Sequence, residues 1–251
     1  MNNNFFFNQN LDNIYLRPSM KSEVSSQILY GEKFSILNKK KKWLKIKTSY
    51  DNYIGYIKNN NFIKNFKATH KIFKLKSQIY KKLNNKFIPI KKFMYFGTKI
   101  MVINQHKNFV NLEKNIWIKK KDIRKFNHIE KNSTKIFKLF VNTKYLWGGK
   151  SCEGIDCSAL VQIYFYYNNF FFPRDSKDQV KYCKKISNNN YKEGNIIYWK
   201  GHVGVCLKNQ KFIHAYGPRK KVVIMNTRRT IKLIKKTAHL NVKKISNIKN
   251  Y

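Results

Sequence analysis

The chain has 251 residues, enough for one large domain or two to three small ones, and its 42% hydrophobic and 16% aromatic content can fill buried cores. It sets 53 Lys and Arg against 12 Asp and Glu, a formal charge of +41 that would attract nucleic acid, anionic lipid or an acidic substrate. The lysines are spread along the whole length among Asn, Ile, Phe and Tyr, as an AT-rich coding sequence produces, and no basic stripe gathers them. No specific nucleic-acid partner is therefore expected.

The opening residues, Met1-Asn2-Asn3-Asn4-Phe5-Phe6-Phe7-Asn8, lack a basic segment, a long apolar stretch and a small-residue cleavage site, so no secretory signal is expected. No run reaches the ~18 apolar residues of a membrane span. Cysteines at 152, 157, 183 and 206 lack a C-x-x-C spacing. The expectation is a reduced, cytoplasmic protein without metal or cofactor, with export or wall association as the alternative.

An internal repeat organises the first half. Leu29-Tyr30-Gly31-Glu32-Lys33-Phe34-Ser35-Ile36-Leu37-Asn38 aligns with Tyr95-Phe96-Gly97-Thr98-Lys99-Ile100-Met101-Val102-Ile103-Asn104 at an offset of 66, which also carries Trp43 onto Phe109 and Ile46 onto Leu112. Ile14-Tyr15 aligns with Ile79-Tyr80, and Gly55-Tyr56-Ile57 with the segment 115–118 that contains Trp117. Each unit of ~60 residues reads as short alternating strands separated by turns, a small β-barrel. Lysine runs at 39–42 and 119–121 fit turns. The division expected is 1–67, 68–130 and 131–251.

From about Lys131 the texture changes. Residues 135–143 read as a helix or an extended lead-in, and Tyr145-Leu146-Trp147-Gly148-Gly149 as a compact turn. Residues 157–168 are an apolar helical run, broken at Phe171-Phe172-Pro173-Arg174; Asp175 or Ser176 can cap a further helix running to Cys183. Segments 195–199, 202–207 and 212–216 alternate as strands. Helices followed by antiparallel strands make an α+β domain.

Cys157 is the candidate nucleophile. A thiol attacks as thiolate, and a helix amino terminus favours the anion through its free N–H groups and dipole. An isolated buried Cys is usually a small apolar residue; the histidines change that balance. His202 and His214 lie on two strands joined at 208–211, and one imidazole can serve as base while the second fixes its tautomer. A three-residue loop faces Leu207 with Lys211 and puts both rings on one face. A two-residue loop at Asn209-Gln210 separates them, unless a bulge restores the phase. His70, His106, His128 and His239 have no such company.

Tyr145-x-Trp147-Gly148-Gly149, Gly154-x-Asp156-Cys157-Ser158-x-Leu160, Pro173-Arg174, Glu193-Gly194-Asn195, Gly201-His202-Val203-Gly204 and Phe212-Ile213-His214-Ala215 occur in this order. Together they resemble the NlpC family of cell-wall cysteine peptidases over about residues 131–230, with Asn195 where the family usually has Asp and Ala159 where Gly is commonest. The resemblance implies a papain-like fold, a triad of Cys157, His202 and His214, and Tyr145 beside the thiol and oxyanion. The two repeats resemble bacterial SH3-like domains. Two such barrels before a papain-like domain resemble the branch that cleaves the γ-D-glutamyl to diamino-acid bond of murein peptides with a free N-terminal L-Ala. In that branch the residues corresponding to Asp156 and Ser158 help bind the substrate amino group. A catalytically silent peptide-binding module and an acyltransferase on the same frame are the alternatives.

Overall fold

A computed structural model of the protein describes residues 4–60, 62–186 and 191–249. The chain divides into two compact units: Met1–Ile129 with Tyr167–Asn169, and Glu130–Tyr166 with Phe170–Tyr251. Among the described residues no helix is long and apolar enough to cross a membrane, and no group of His, Cys, Asp and Glu is arranged to hold a metal ion.

The first unit holds both copies of the repeat. In the first copy, strands β1 (Asn4–Phe6), β2 (Leu11–Tyr15), β3 (Val24–Leu29), β4 (Lys33–Lys40), β5 (Trp43–Thr48) and β6 (Ile54–Lys58) form one sheet in the order β1-β4-β5-β6-β2-β3. Alternation puts Ile14, Ile28, Phe34, Leu44, Ile46 and Ile57 on its inner face, where they pack with Phe7.

The second copy contributes β7 (His70–Ile72), β8 (Lys76–Leu83), β9 (Lys86–Tyr95), β10 (Lys99–Ile100), β11 (Asn104–His106), β12 (Phe109–Glu113), β13 (Ile116–Lys119) and β14 (Ile123–Lys125). Its order is β11-β12-β13-β8-β9, with β10-β7-β14 as a separate sheet. This is the order of the first copy, with the strand that corresponds to β4 broken into β10 and β11. Trp43 and Phe109 each open a strand, as the offset requires. The repeated glycines make the same turn: Gly31 and Gly97 have φ of 72° and 79°, and Glu32 and Thr98 donate to the carbonyls of Leu29 and Tyr95. Only glycine takes that conformation without strain. The lysine runs are partly strand: Lys39 and Lys40 end β4, and Lys119 ends β13.

The second unit begins with α1 (Ser133–Leu139), capped by the Asn132 side chain on the Lys135 N–H. A small hairpin, β15 (Lys150–Ser151) and β16 (Gly154–Ile155), leads into α2 (Cys157–Tyr167). Helix α2 is apolar around most of its circumference, with Ala159, Leu160, Val161, Ile163, Phe165 and Tyr166 all buried, as a central helix must be. After α3 (Ser176–Tyr182) the strands β17 (Asn195–Trp199), β18 (His202–Cys206), β19 (Lys211–Tyr216), β20 (Lys221–Asn226) and β21 (Lys244–Asn247) form an antiparallel sheet in the order β20-β19-β18-β17-β21. Amphipathic α4 (Thr227–Ala238) buries Thr227, Thr230 and Ile234 and exposes its Arg and Lys residues. The expected helices and first three strands are present; β20, α4 and β21 add to them. Asp175 occupies the cap position of α3, but its side chain makes no capping bond.

Candidate active site

The site lies at the start of α2. Asp156 precedes the first helical residue, and its Oδ1 accepts from the Ala159 N–H at 2.8 Å, an N-cap that fixes where the helix begins. Cys157 is thereby the first residue of the helix, 5% exposed. The backbone N–H groups of Val203 and Ser158 both point at its sulfur, so the thiol lies against the start of β18, next to His202. Burial, then the Asp156 carboxylate, push the thiol up to about 12 from 9.0, while the two N–H groups and Arg174 pull the other way.

The histidines depend on the register of the β18–β19 hairpin. Val205 pairs with Ile213 and Cys206 with Phe212, and the Leu207 N–H donates to the Lys211 carbonyl at 2.7 Å. The Lys211 N–H also donates to the Lys208 carbonyl, and Asn209 and Gln210 have φ of 56° and 53°. The loop is thus a tight turn centred on Asn209-Gln210 with one extra residue, since Leu207 and Lys208 both face Lys211. That residue restores the phase and sets both imidazoles on one face: His202 Nε2 and His214 Nδ1 are 2.9 Å apart. Gly204 lies opposite His214. A Cβ there would come within 2.4 Å of the Phe212 ring and 2.8 Å of the His214 Cβ, so a side chain would displace the second imidazole.

His214 is fully buried and its Nε2 has no partner among the described residues. Burial lowers His202 to about 4; burial and then the neighbouring His202 lower His214 to about 3. Burial therefore favours the neutral form of the thiol and of both imidazoles.

Tyr145 belongs to the turn closed by Gly149 N–H donating to the Leu146 carbonyl at 2.9 Å. Its hydroxyl is raised above the usual tyrosine range by burial first, then by the charges of Cys157 and Asp156, which places it beside the thiol. Four sequence candidates, Cys157, His202, His214 and Tyr145, are thus brought together.

Asp156 and Ser158 join them through a partner to which the sequence assigned no role. Arg174 is 2% exposed and grips Asp156 with two nitrogens, at 3.1 Å to Oδ1 and 2.7 Å to Oδ2; it also donates to the Ser158 hydroxyl at 2.9 Å. Oδ1 further accepts from the Ser158 hydroxyl, and Oδ2 from the Gly148 N–H. Asp156 is therefore a saturated anion inside a buried network that ties helix start, glycine turn and Pro173-Arg174 together. The available signal was an arginine following Phe170-Phe171-Phe172-Pro173: a cation in an apolar run needs a buried partner.

Residues 142–240 match the profile of the NlpC/P60 family, and residues 14–62 match that of the bacterial dipeptidyl-peptidase SH3 domain. The carboxy-terminal part is an NlpC/P60 domain. The chain is 25% identical to dipeptidyl-peptidase 6 of Lysinibacillus sphaericus over 231 residues, 81% of this chain and 84% of that protein. Against γ-D-glutamyl-L-lysine dipeptidyl-peptidase of Bacillus subtilis the identity is 33% over 101 residues, 37% of this chain and 34% of that protein. A crystal structure of an NlpC/P60 family protein from Bacillus cereus shares the fold with a TM-score of 0.75 at 16% identity, covering 89% of this chain and 94% of that one. The NlpC/P60 domain makes the protein a cysteine peptidase of the cell-wall hydrolase class, multidomain, with SH3-like β-structure ahead of a papain-like domain.

Proposed function

We propose that this NlpC/P60 protein is an endopeptidase that hydrolyses the γ-D-glutamyl to diamino-acid bond of murein peptides with a free N-terminal L-Ala. The observation that carries the reading is the joint placement of the Cys157 sulfur against the first residues of β18 and of the 2.9 Å pair formed by His202 on that strand and His214 on β19. The bond itself is supported by the name of the γ-D-glutamyl-L-lysine dipeptidyl-peptidase, matched over 37% of this chain, while the relative that spans most of the chain is named a dipeptidyl-peptidase. Domains at 1–67, 68–130 and 131–251 and a cytoplasmic place of action belong to the same proposal.

Cys157 attacks the γ-glutamyl carbonyl as His202 Nδ1 takes the thiol proton. For Nδ1 to be the free base, His202 Nε2–H must donate to His214 Nδ1, which leaves the proton of His214 on its buried Nε2. The Cys157 N–H and the Tyr145 hydroxyl steady the oxyanion. His202 then protonates the leaving amine as the C–N bond breaks, and water, deprotonated by the same imidazole, cleaves the thioester. Positioned acid–base transfer of this kind contributes roughly 10²–10⁴-fold.

Asp156 and Ser158, expected to take the substrate ammonium, are held by Arg174, and an incoming cation would compete with a bidentate guanidinium. Their role in the proposal is to hold the helix start, with amino-group contact confined to their exposed edge.

The test is hydrolysis of L-Ala-γ-D-Glu-diaminopimelate by wild type and Cys157→Ala, followed by chromatography of the released dipeptide. Cleavage by wild type and its loss in the variant are expected; equal rates would sink the reading.

A further inference from the structure

Two imidazoles joined by one hydrogen bond are not yet aimed. The Cβ–Cγ torsion of histidine has a broad, roughly two-fold profile, so the contact between His202 and His214 leaves both rings free to rock. Three aromatic side chains enclose the pair. Tyr216 stacks on His214 with ring centroids 4.6 Å apart and planes 18° from parallel, and its centroid is 6.0 Å from that of His202. Trp199 lies over His202 at 5.6 Å and 36°, and Phe212 flanks His214 at 5.1 Å and 58°.

Of the three, Tyr216 is the one parallel to the second imidazole. It is two residues beyond His214 on the same face of β19, and the hairpin register sets it across from His202. The residue after it closes on the other side of the site: a Cβ at Gly217 would stand 3.9 Å from the Tyr145 ring.

We propose that Tyr216 is a positioning residue of the NlpC/P60 site, whose stacked ring fixes the plane of His214 and through it turns the free nitrogen of His202 to Cys157. The inference rests on the catalytic reading of the histidine pair given above.

The surroundings give it a pH signature. The titratable groups at the start of β18 are Cys157, met by the N–H of Val203 next to His202, and with it the Asp156–Arg174 ion pair and Tyr145. Among the described residues no carboxylate pairs with either ring. Burial dominates the titration of both imidazoles, and Tyr216 is part of that cover. Removing the ring admits water, which favours the imidazolium, so the acid limb of activity must move to higher pH.

The experiment compares Tyr216→Phe with Tyr216→Leu in the full chain. Readouts are kcat and KM for the L-Ala-γ-D-Glu-diaminopimelate peptide across pH, and the imidazole titration followed by NMR. Phe keeps the stack, and its kcat, acid limb and titration should match wild type. Leu should lower kcat about tenfold or more with KM within about twofold, and move the imidazole titration toward the ordinary value near 6.5. Unchanged kcat and titration in Tyr216→Leu would overturn the proposal, as would a Phe variant as impaired as Leu. If Leu fails to fold by circular dichroism, Tyr216→Met, unstacked and with an unbranched side chain that adapts to the gap, takes its place with the same two outcomes. The titration needs no substrate, so it decides the role of Tyr216 even where the peptide proves to be the wrong one.

Discussion

The protonation state of three side chains governs the chemistry. Cys157 is pushed up to about 12 and the imidazoles down to about 4 and 3, and burial, the first cause in each case, favours the neutral forms over an ion pair. In the proposed mechanism Cys157 accordingly attacks as a thiol that gives its proton to His202. The histidines also link stability to pH. Their folded-state values lie below the unfolded value of about 6.5, so between roughly pH 6.5 and 4 the unfolded chain binds protons that the folded chain refuses. Stability should rise with pH across that window and fall as the solution is acidified through it. Denaturant titrations at pH 7.5, 6, 5 and 4 should show the loss, and it should be smaller in His214→Gln. An unchanged pH slope in that variant would remove His214 from the account. The two rings share a hydrogen bond, so activity should follow a joint acid limb rather than two separate ones.

At the scale of elements, the β18–β19 hairpin decides whether His202 and His214 meet at all. Sequence placed both histidines on neighbouring strands but left the loop open, because side chains alternate with a period of two and one residue more or less exchanges the faces. The structure resolves this with the extra residue at Leu207-Lys208 against Lys211. Deleting Lys208 should leave Leu207 facing Lys211 across a two-residue turn at Asn209-Gln210, so that His202 and His214 stay on one face. Peptide hydrolysis and far-UV circular dichroism should both stay near wild type; a fall to the level of Cys157→Ala would show that Lys208 itself, and not the Leu207–Lys211 register, sets the pairing. The start of α2 was legible earlier, because Asp156 before an apolar run is a local signal. Its Arg174 partner, 18 residues away, was not, since nothing local says which buried carboxylate a buried arginine meets.

At the scale of the molecule, the repeat offset of 66 carried strand starts and the Gly31 and Gly97 turns correctly, because turn conformation and alternation are short-range properties. It did not reveal that β10 and β11 divide the strand that β4 makes whole. The charge of +41 belongs to this scale too. Carboxylate-rich murein peptides would be drawn to such a surface, and screening weakens attraction beyond a Debye length of ~10 Å at 0.1 M salt. Raising salt from about 50 to about 500 mM should therefore raise KM several-fold with little change in kcat; a salt-independent KM would make the charge a matter of composition alone. By itself, the sequence determined the doubled β-module, the α+β domain after it, the capped cysteine helix and the short list of titratable residues, all of them set by local pattern and spacing. Tertiary structure alone decided which face each imidazole occupies, that Arg174 saturates Asp156, and that Tyr216 and Trp199 enclose the histidines. Those outcomes depend on strand register and long-range burial, and no local stretch of chain encodes either.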